Sequence, residues 1–282
     1  MIKKINWRAI LFSLLWLISL GGLITLMSFI EIKKSNLKCK DVKVLLPGRF
    51  NFIERGEVDN ILKESAGEMV GRDLIGINIH RLEKVLKANP FIEFAKVYVD
   101  MTGVIHIQLR QREPVLRVVN MANLHYYIDA NGKKIPLSNN YTAKVLVASG
   151  MIEEDFSGRV DTLKTKMAKD LFRVASYIKG DTLWDNQIEQ LFVDLKGDVE
   201  MVPRVGAHKI ILGNADSLQT KFRNLLIFYK RAIPMVGWDT YKTINLKYAN
   251  QIVCQKNLND STEVTFDTFK QMADSTKIET QN

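Results

Sequence analysis

From Ala9 to Ile30 the chain reads AILFSLLWLISLGGLITLMSFI, without a single charge. Few features constrain a fold more. A helix over this run has no polar stripe to turn toward water, and at about 1.5 Å per residue it spans roughly 33 Å, the hydrocarbon thickness of a bilayer. A cleavable signal peptide is the nearest alternative. Cutting at Ser19-x-Gly21, a poor cleavage site, would leave GLITLMSFI as a new apolar terminus, so an uncleaved anchor is the better reading. The flanking charges do not orient it. Lys3, Lys4 and Arg8 precede the run, whereas Lys33, Lys34, Lys38, Lys40 and Lys43 follow it.

The 282 residues suit one large or two medium domains with appendages. A net charge of +9 would point toward nucleic acid, but removing the three basic residues before the apolar run leaves 37 basic against 31 acidic residues. No basic stripe interleaved with aromatics accompanies that small excess, so it reads as a solvated lysine-rich surface with no nucleic-acid partner. Cys39 and Cys254 are too few for a disulfide framework and read as free thiols.

The pattern divides the chain into a short head (1–8), the apolar helix (9–30), a linker (31–38), a first domain (39–112), a second (113–254) and a polar tail (255–282) that reads as disordered. In the first domain Val42–Leu46 alternates as a strand and stops at Pro47-Gly48. Val58, Ile61 and Leu62 share one helical face, as do Ile79, Leu82, Val85 and Leu86, with Asn78 as N-cap and Asn89-Pro90 as stop. A hairpin follows, with Ala95, Val97 and Val99 facing the same way as Ile105, Ile107 and Leu109. The order β-α-α-β-β gives two helices over one face of a three-stranded sheet.

After Pro114 the chain reads mainly as strands, at 115–119, 124–128, 144–148, 188–195, 199–202, 208–212, 241–246 and 248–254. Helices fit 161–179, with Leu163, Met167, Leu171, Val174 and Ile178 inward, and 214–231, with Leu218, Phe222, Leu225 and Tyr229 inward. The fold class is therefore α+β: one apolar N-terminal helix, a βααββ domain, and a mainly antiparallel β-domain with flanking helices.

Catalytic constellations are missing from the pattern: there is no nucleophile elbow, phosphate loop or paired-ligand metal spacing, and no cofactor is implied. His106 reads as a solvent-exposed strand residue, and Glu153-Glu154-Asp155 as solvated loop carboxylates. An anchored chain without an active centre works by holding partners, and sheet edges, with their unpaired N–H and C=O groups, are the natural places to hold them.

Several motifs resemble known domains. Leu82-x-x-Val85-Leu86-x-x-Asn89-Pro90-Phe91-Ile92-x-x-Ala95-x-Val97 in its βααββ setting is similar to a POTRA domain. Arg112-Glu113-Pro114-Val115, Tyr127-Ile128-Asp129-x-x-Gly132-x-x-Ile135-Pro136-Leu137, Lys209-Ile210-Ile211-Leu212-Gly213 and Ile244-Asn245-Leu246-Lys247-Tyr248 follow in the order of the FtsQ/DivIB family of bacterial cell-division proteins. Asn245 and Lys247 stand where that family usually has Asp and Arg.

The resemblance implies a single-pass scaffold of the inner (cytoplasmic) membrane at the septum, its N-terminus cytoplasmic and its bulk periplasmic or otherwise extracytoplasmic. It implies FtsB/DivIC-like and FtsL-like bitopic partners, bound by strand addition at a last strand taken as Lys247, Tyr248, Ala249, Asn250, Gln251, Ile252 and Val253, with Phe222 and Leu226 flanking. Other divisome membrane proteins would meet the POTRA and membrane segments. Arg112, Glu113 and Pro114 would join the domains without a flexible linker. Three alternatives predict different sequences. A POTRA-bearing protein-translocation component needs a C-terminal barrel, an anchored cell-wall enzyme needs a reactive cleft, and a binder of anionic polymers needs salt-sensitive retention.

Overall fold

The computed structural model describes residues 7–35, 37–48, 50–248 and 251–257, leaving the side chains at 8–10, 13 and 27–35 outside that description. The chain divides into two units, one of Met1–Glu113 with Ile135–Ala143, the other of Pro114–Lys134 with the chain from Lys144 onward.

The first unit opens with helix α1, Trp7–Ser35. It runs past the uncharged segment, so most of the expected linker 31–38 is helical. Its described apolar side chains, among them Leu11, Phe12, Trp16, Ile18 and Leu23, are exposed. Among the residues whose side chains are described, which leave out 8–10, 13 and 27–35 of α1, no helix is long and apolar enough to cross a membrane. The order expected for the first domain then appears: β1 (Asp41–Leu45), α2 (Arg55–Ala66), a 3₁₀ turn (Leu74–Gly76), α3 (Ile79–Ala88), β2 (Ile92–Val99) and β3 (Val104–Gln111). The sheet order is β1-β3-β2, with β1 parallel to β3 and β2 antiparallel to it.

Local chemistry sets the helix ends. The Glu57 carboxylate accepts from the Glu54 N–H at 3.2 Å, and Asn78 Oδ1 accepts from the Arg81 N–H at 2.9 Å. Val58, Leu62, Leu82 and Leu86 pack with Ala95, Val97, Ile105 and Ile107 into one core. The hairpin turn is organised by Asp100, whose Oδ1 accepts from the Thr102 and Val104 N–H groups and whose Oδ2 meets His106 Nε2 at 2.9 Å. The Thr102 hydroxyl and His106 together hold the Asp100 carboxyl well below the usual carboxylate range. His106 is thus a bound, half-buried residue stacked on Tyr98, rather than a solvated one.

Residues 135–143, read in the sequence as part of the second domain, pack with the first. The Tyr141 ring stands edge-on to Phe52 at 5.2 Å, Ser138 Oγ donates to the Phe52 carbonyl, and Asn140 Nδ2 donates to Glu57 Oε1 at 2.8 Å. Phe52, fully buried, also stacks on Phe91 at 5.3 Å.

The second unit is built on a ten-stranded sheet. Its strands are β4 (Pro114–Val119), β5 (His125–Asp129), β6 (Lys133–Ile135), β7 (Leu146–Gly150), β8 (Asp161–Thr162), β9 (Ile188–Val193), β10 (Val199–Pro203), β11 (Lys209–Gly213), β12 (Tyr241–Asn245) and β13 (Val253–Lys256). They lie in the order β13-β12-β11-β10-β9-β7-β4-β5-β6-β8. The pairs β4–β7, β7–β9 and β11–β12 run parallel. Parallel neighbours need crossovers. Helices α4 (Lys166–Lys179) and α5 (Thr182–Gln187) supply one between β7 and β9, and α6 (Leu218–Arg231) with α7 (Ile233–Val236) another between β11 and β12. The expected helix at 161–179 starts only at Lys166, because Thr165 Oγ1 caps it by accepting from the Ala168 N–H and residues 161–162 form β8. The expected helix at 214–231 likewise begins at Leu218.

Candidate functional site

The sheet of the second unit ends at β13, which pairs only with β12 among the described residues. The pairing is antiparallel, Asn245 opposite Val253 and Ile244 opposite Cys254. Alternation along the chain turns Ile252 and Cys254 toward the core, where both pack half-buried, and leaves Val253 and Gln255 exposed. Burial pushes the Cys254 thiol up to about 12, which keeps it protonated and poorly nucleophilic. A strand with one neighbour directs half of its N–H and C=O groups away from it. That makes β13 able to accept a further strand.

This places the edge later than the sequence pattern does. Lys247, Tyr248, Gln251 and Ile252 belong to the connection between β12 and β13, Val253 is the first residue of β13, and Ala249 and Asn250 lie outside the described residues. Gln255 and Lys256, assigned from sequence to the tail, complete the strand. Asn257 follows, its N–H donating to the Thr240 carbonyl at 2.9 Å, and residues 258–282 fall outside the described residues.

The connection leaves the sheet from a fixed point. The Leu246 N–H donates to the Ile211 carbonyl at 2.8 Å, and the Lys247 N–H to Asn245 Oδ1 at 2.9 Å. The Lys247 side chain crosses Gly213, where an added Cβ would lie 2.8 Å from Lys247 Cγ, and its Nζ donates to Asp198 Oδ2 at 2.6 Å. The bond to Asp198 raises the Lys247 pKa. Lys247 thus pins the ends of three strands, while Tyr248 beside it is 52% exposed.

Phe222, expected from sequence to flank this edge, lies inside the core, and Leu226, expected beside it, packs on the same core as Ile252 and Cys254. Phe222 is 1% exposed, packed against Tyr177 and Trp184 in the core, and Leu226 is half-buried against the same core. The outward apolar residue of α6 is Ile227. At the domain junction, the Arg112 N–H donates to the Phe91 carbonyl at 2.8 Å and its Nε to the Pro90 carbonyl at 3.0 Å, while the Pro114 carbonyl accepts from Lys179 Nζ. Glu113 stands between β3 and β4.

Glu154 is not the solvated loop carboxylate that its sequence setting suggests. Glu154 is buried, and its Oε1 accepts from Lys134 Nζ at 2.6 Å, the lysine itself 1% exposed. Burial pushes this carboxyl up, yet Lys134 and the Lys164 and Thr165 N–H groups hold it below the usual range. It is a structural ion pair rather than a solvated carboxylate. Among the described residues no three His, Cys, Asp or Glu side chains are placed to hold a metal ion.

A βααββ unit followed by a mixed sheet, whose last strand pairs on one side only among the described residues, defines a two-domain protein. Residues 37–110 match a POTRA-like domain, and residues 113–255 match FtsQ/DivIB, C-terminal related. The chain belongs to the FtsQ/DivIB family, whose members are generally non-enzymatic scaffolds of cell division. No curated protein matches the chain.

Proposed function

We propose that this chain is a non-catalytic scaffold of the bacterial divisome that binds an FtsB/DivIC-like and FtsL-like pair by taking up a partner strand along β13. The single observation that carries this reading is the position of β13, at the end of a ten-stranded sheet with its Val253 and Gln255 side chains exposed. Main-chain bonds supply affinity in such a complex, and neighbouring side chains supply specificity. Tyr248, exposed just upstream, is the aromatic anchor.

Helix α1 is the anchor in the inner membrane, N-terminus cytoplasmic and both units outside, at the septum. The uncharged run Ala9–Ile30 and the exposed apolar side chains of α1 support this, since water disfavours so large an apolar surface. Other membrane-embedded division proteins meet the first unit and α1.

The test is co-purification of the solubilised full chain with the bitopic pair. Tyr248→Ala should weaken association about thirtyfold or more, the scale of a central aromatic contact, without changing the unfolding midpoint. Retention of the pair by both Tyr248→Ala and a chain ending at Leu246 would refute strand addition. Filamentous growth on depletion is the separate cellular expectation.

A further inference from the structure

The chain reaches Leu37 two residues after the last residue of α1. There it is gripped from two sides within the first unit. The loop between α2 and α3 bonds to one side: the Cys39 N–H donates to the Arg72 carbonyl at 2.8 Å, the Gly71 N–H to the Cys39 carbonyl at 2.7 Å, and the Leu74 N–H to the Leu37 carbonyl at 3.0 Å. On the other side the Lys40 N–H donates to the Gly103 carbonyl at 2.9 Å, at the tip of the β2–β3 hairpin. The approach is so close that a Cβ at Gly103 would lie 2.7 Å from the Lys38 carbonyl oxygen. Two loop tips and the arriving chain therefore occupy one end of the unit.

That end has an uncommon surface. Met101 is 97% exposed and Ile75 70%, with Val70 also exposed, and Lys38, Lys40 and Arg72 are exposed beside them. Single exposed apolar residues are ordinary; three on adjoining tips, interleaved with cations, have the composition of an interfacial surface. The carboxylates of the two loops are Glu68, Asp73 and Asp100, and Asp100 is engaged by Thr102, Val104 and His106. Between residues 33 and 43 the sequence carries five lysines against one acid, Asp41.

We propose that this end of the first unit, through Met101, Ile75, Lys38, Lys40 and Arg72, seats on anionic phospholipid headgroups. The inference rests on the reading of α1 as a membrane anchor. Because a residue advances the chain by at most about 3.6 Å, Leu37 stays within about 7 Å of Ser35, at headgroup level once α1 is in a bilayer. Each cation near an anionic surface is worth about 1 kcal/mol, a factor of about five in binding. The seat fixes the height at which the first unit is carried, a task α1 alone does not perform.

The full chain is reconstituted into vesicles of phosphatidylcholine, with or without phosphatidylglycerol. Flotation reports the anchor, and hydrogen exchange at residues 69–76 and 100–104 reports the seat. The expected result is flotation with both lipids, and exchange at both loops about fivefold or more slower with phosphatidylglycerol, the slowing lost at high salt. Lys38→Glu with Lys40→Glu should still float and keep β3 protected, but lose the lipid-dependent slowing. Flotation with equal loop exchange on both lipids overturns the seat and leaves the anchor standing. Failure to float overturns the anchor, and the seat with it.

Discussion

At one end of the ten-stranded sheet β8 offers two residues, Asp161 and Thr162; at the other β13 offers four, beginning with an exposed valine. Asp161 meets Lys164 at 3.1 Å, and its strand neighbour Lys134 is buried against Glu154. Brevity and charge are ways in which sheets discourage edge-to-edge association, and β8 has both. β13 has no acidic residue; Val253 and Gln255 are exposed on either side of the packed Cys254, and one exposed charge, Lys256, ends the strand. Among the described residues, one sheet thus carries a more guarded edge and a less guarded one. The contrast teaches that exposure of β13 does not follow from the architecture, since the same architecture closes its other side.

The largest expected effect is on the guarded edge. Lys134→Ala should cost about 3–5 kcal/mol in urea unfolding, because it strands Glu154 without a counter-charge, whereas Lys134→Met with Glu154→Leu should cost much less. A single-variant loss below about 1 kcal/mol would mean that the pair is effectively solvated. Acid should then separate the two sides. His208, just before β11, is buried with its Nε2 2.8 Å from the Tyr229 hydroxyl, and burial lowers its pKa below 6.5. The unfolded chain takes up that proton first, so stability near the open side should fall as pH drops below 6.5, by up to about 1.4 kcal/mol per pH unit. Glu154, held below its ordinary 4.5, keeps its contribution until the pH falls under that value. Hydrogen exchange should therefore quicken in β11–β13 before β6 and β8, and His208→Asn should remove the earlier phase. The smallest expected change in stability comes from adding a second charge to the open edge, beside that of Lys256. Val253→Lys should shift unfolding by no more than about 0.5 kcal/mol yet abolish partner capture; intact capture would show that the partner uses another surface.

How much of this was legible depended on the range of the interactions. α3 matches its reading from Ile79 to Ala88, since its cap, apolar stripe and stop all lie within about a dozen residues. The βααββ order follows from the same local periodicity. What could not be read was set by distant partners. Lys247 and Asp198 are 49 residues apart, and their bond, with the turn it anchors, moves the last strand from 248–254 to 253–256. Phe222 sits on a helical face that reads equally well as core or contact; only the rings of Tyr177 and Trp184 decide it. Glu154 looks like any loop carboxylate until Lys134, 20 residues earlier, is seen beneath it. The signal available for β13 was the alternation of Ile252 and Cys254 against Val253 and Gln255, which runs on past the cysteine.

The segment 135–143 also bears on how the molecule is made. Phe52 gains an edge-on ring from Tyr141 and a hydroxyl donor from Ser138, some thirty residues beyond the boundary at Glu113. Domains usually finish in the order in which the ribosome delivers them, at about 5–20 residues per second. Here the leading unit must wait roughly 2–6 s longer, with an aromatic slot uncovered, while the first three strands of the next emerge. A fragment ending at Glu113 would keep that slot bare permanently, so the earlier unit borrows its last piece of hydrophobic cover from translation of the later one.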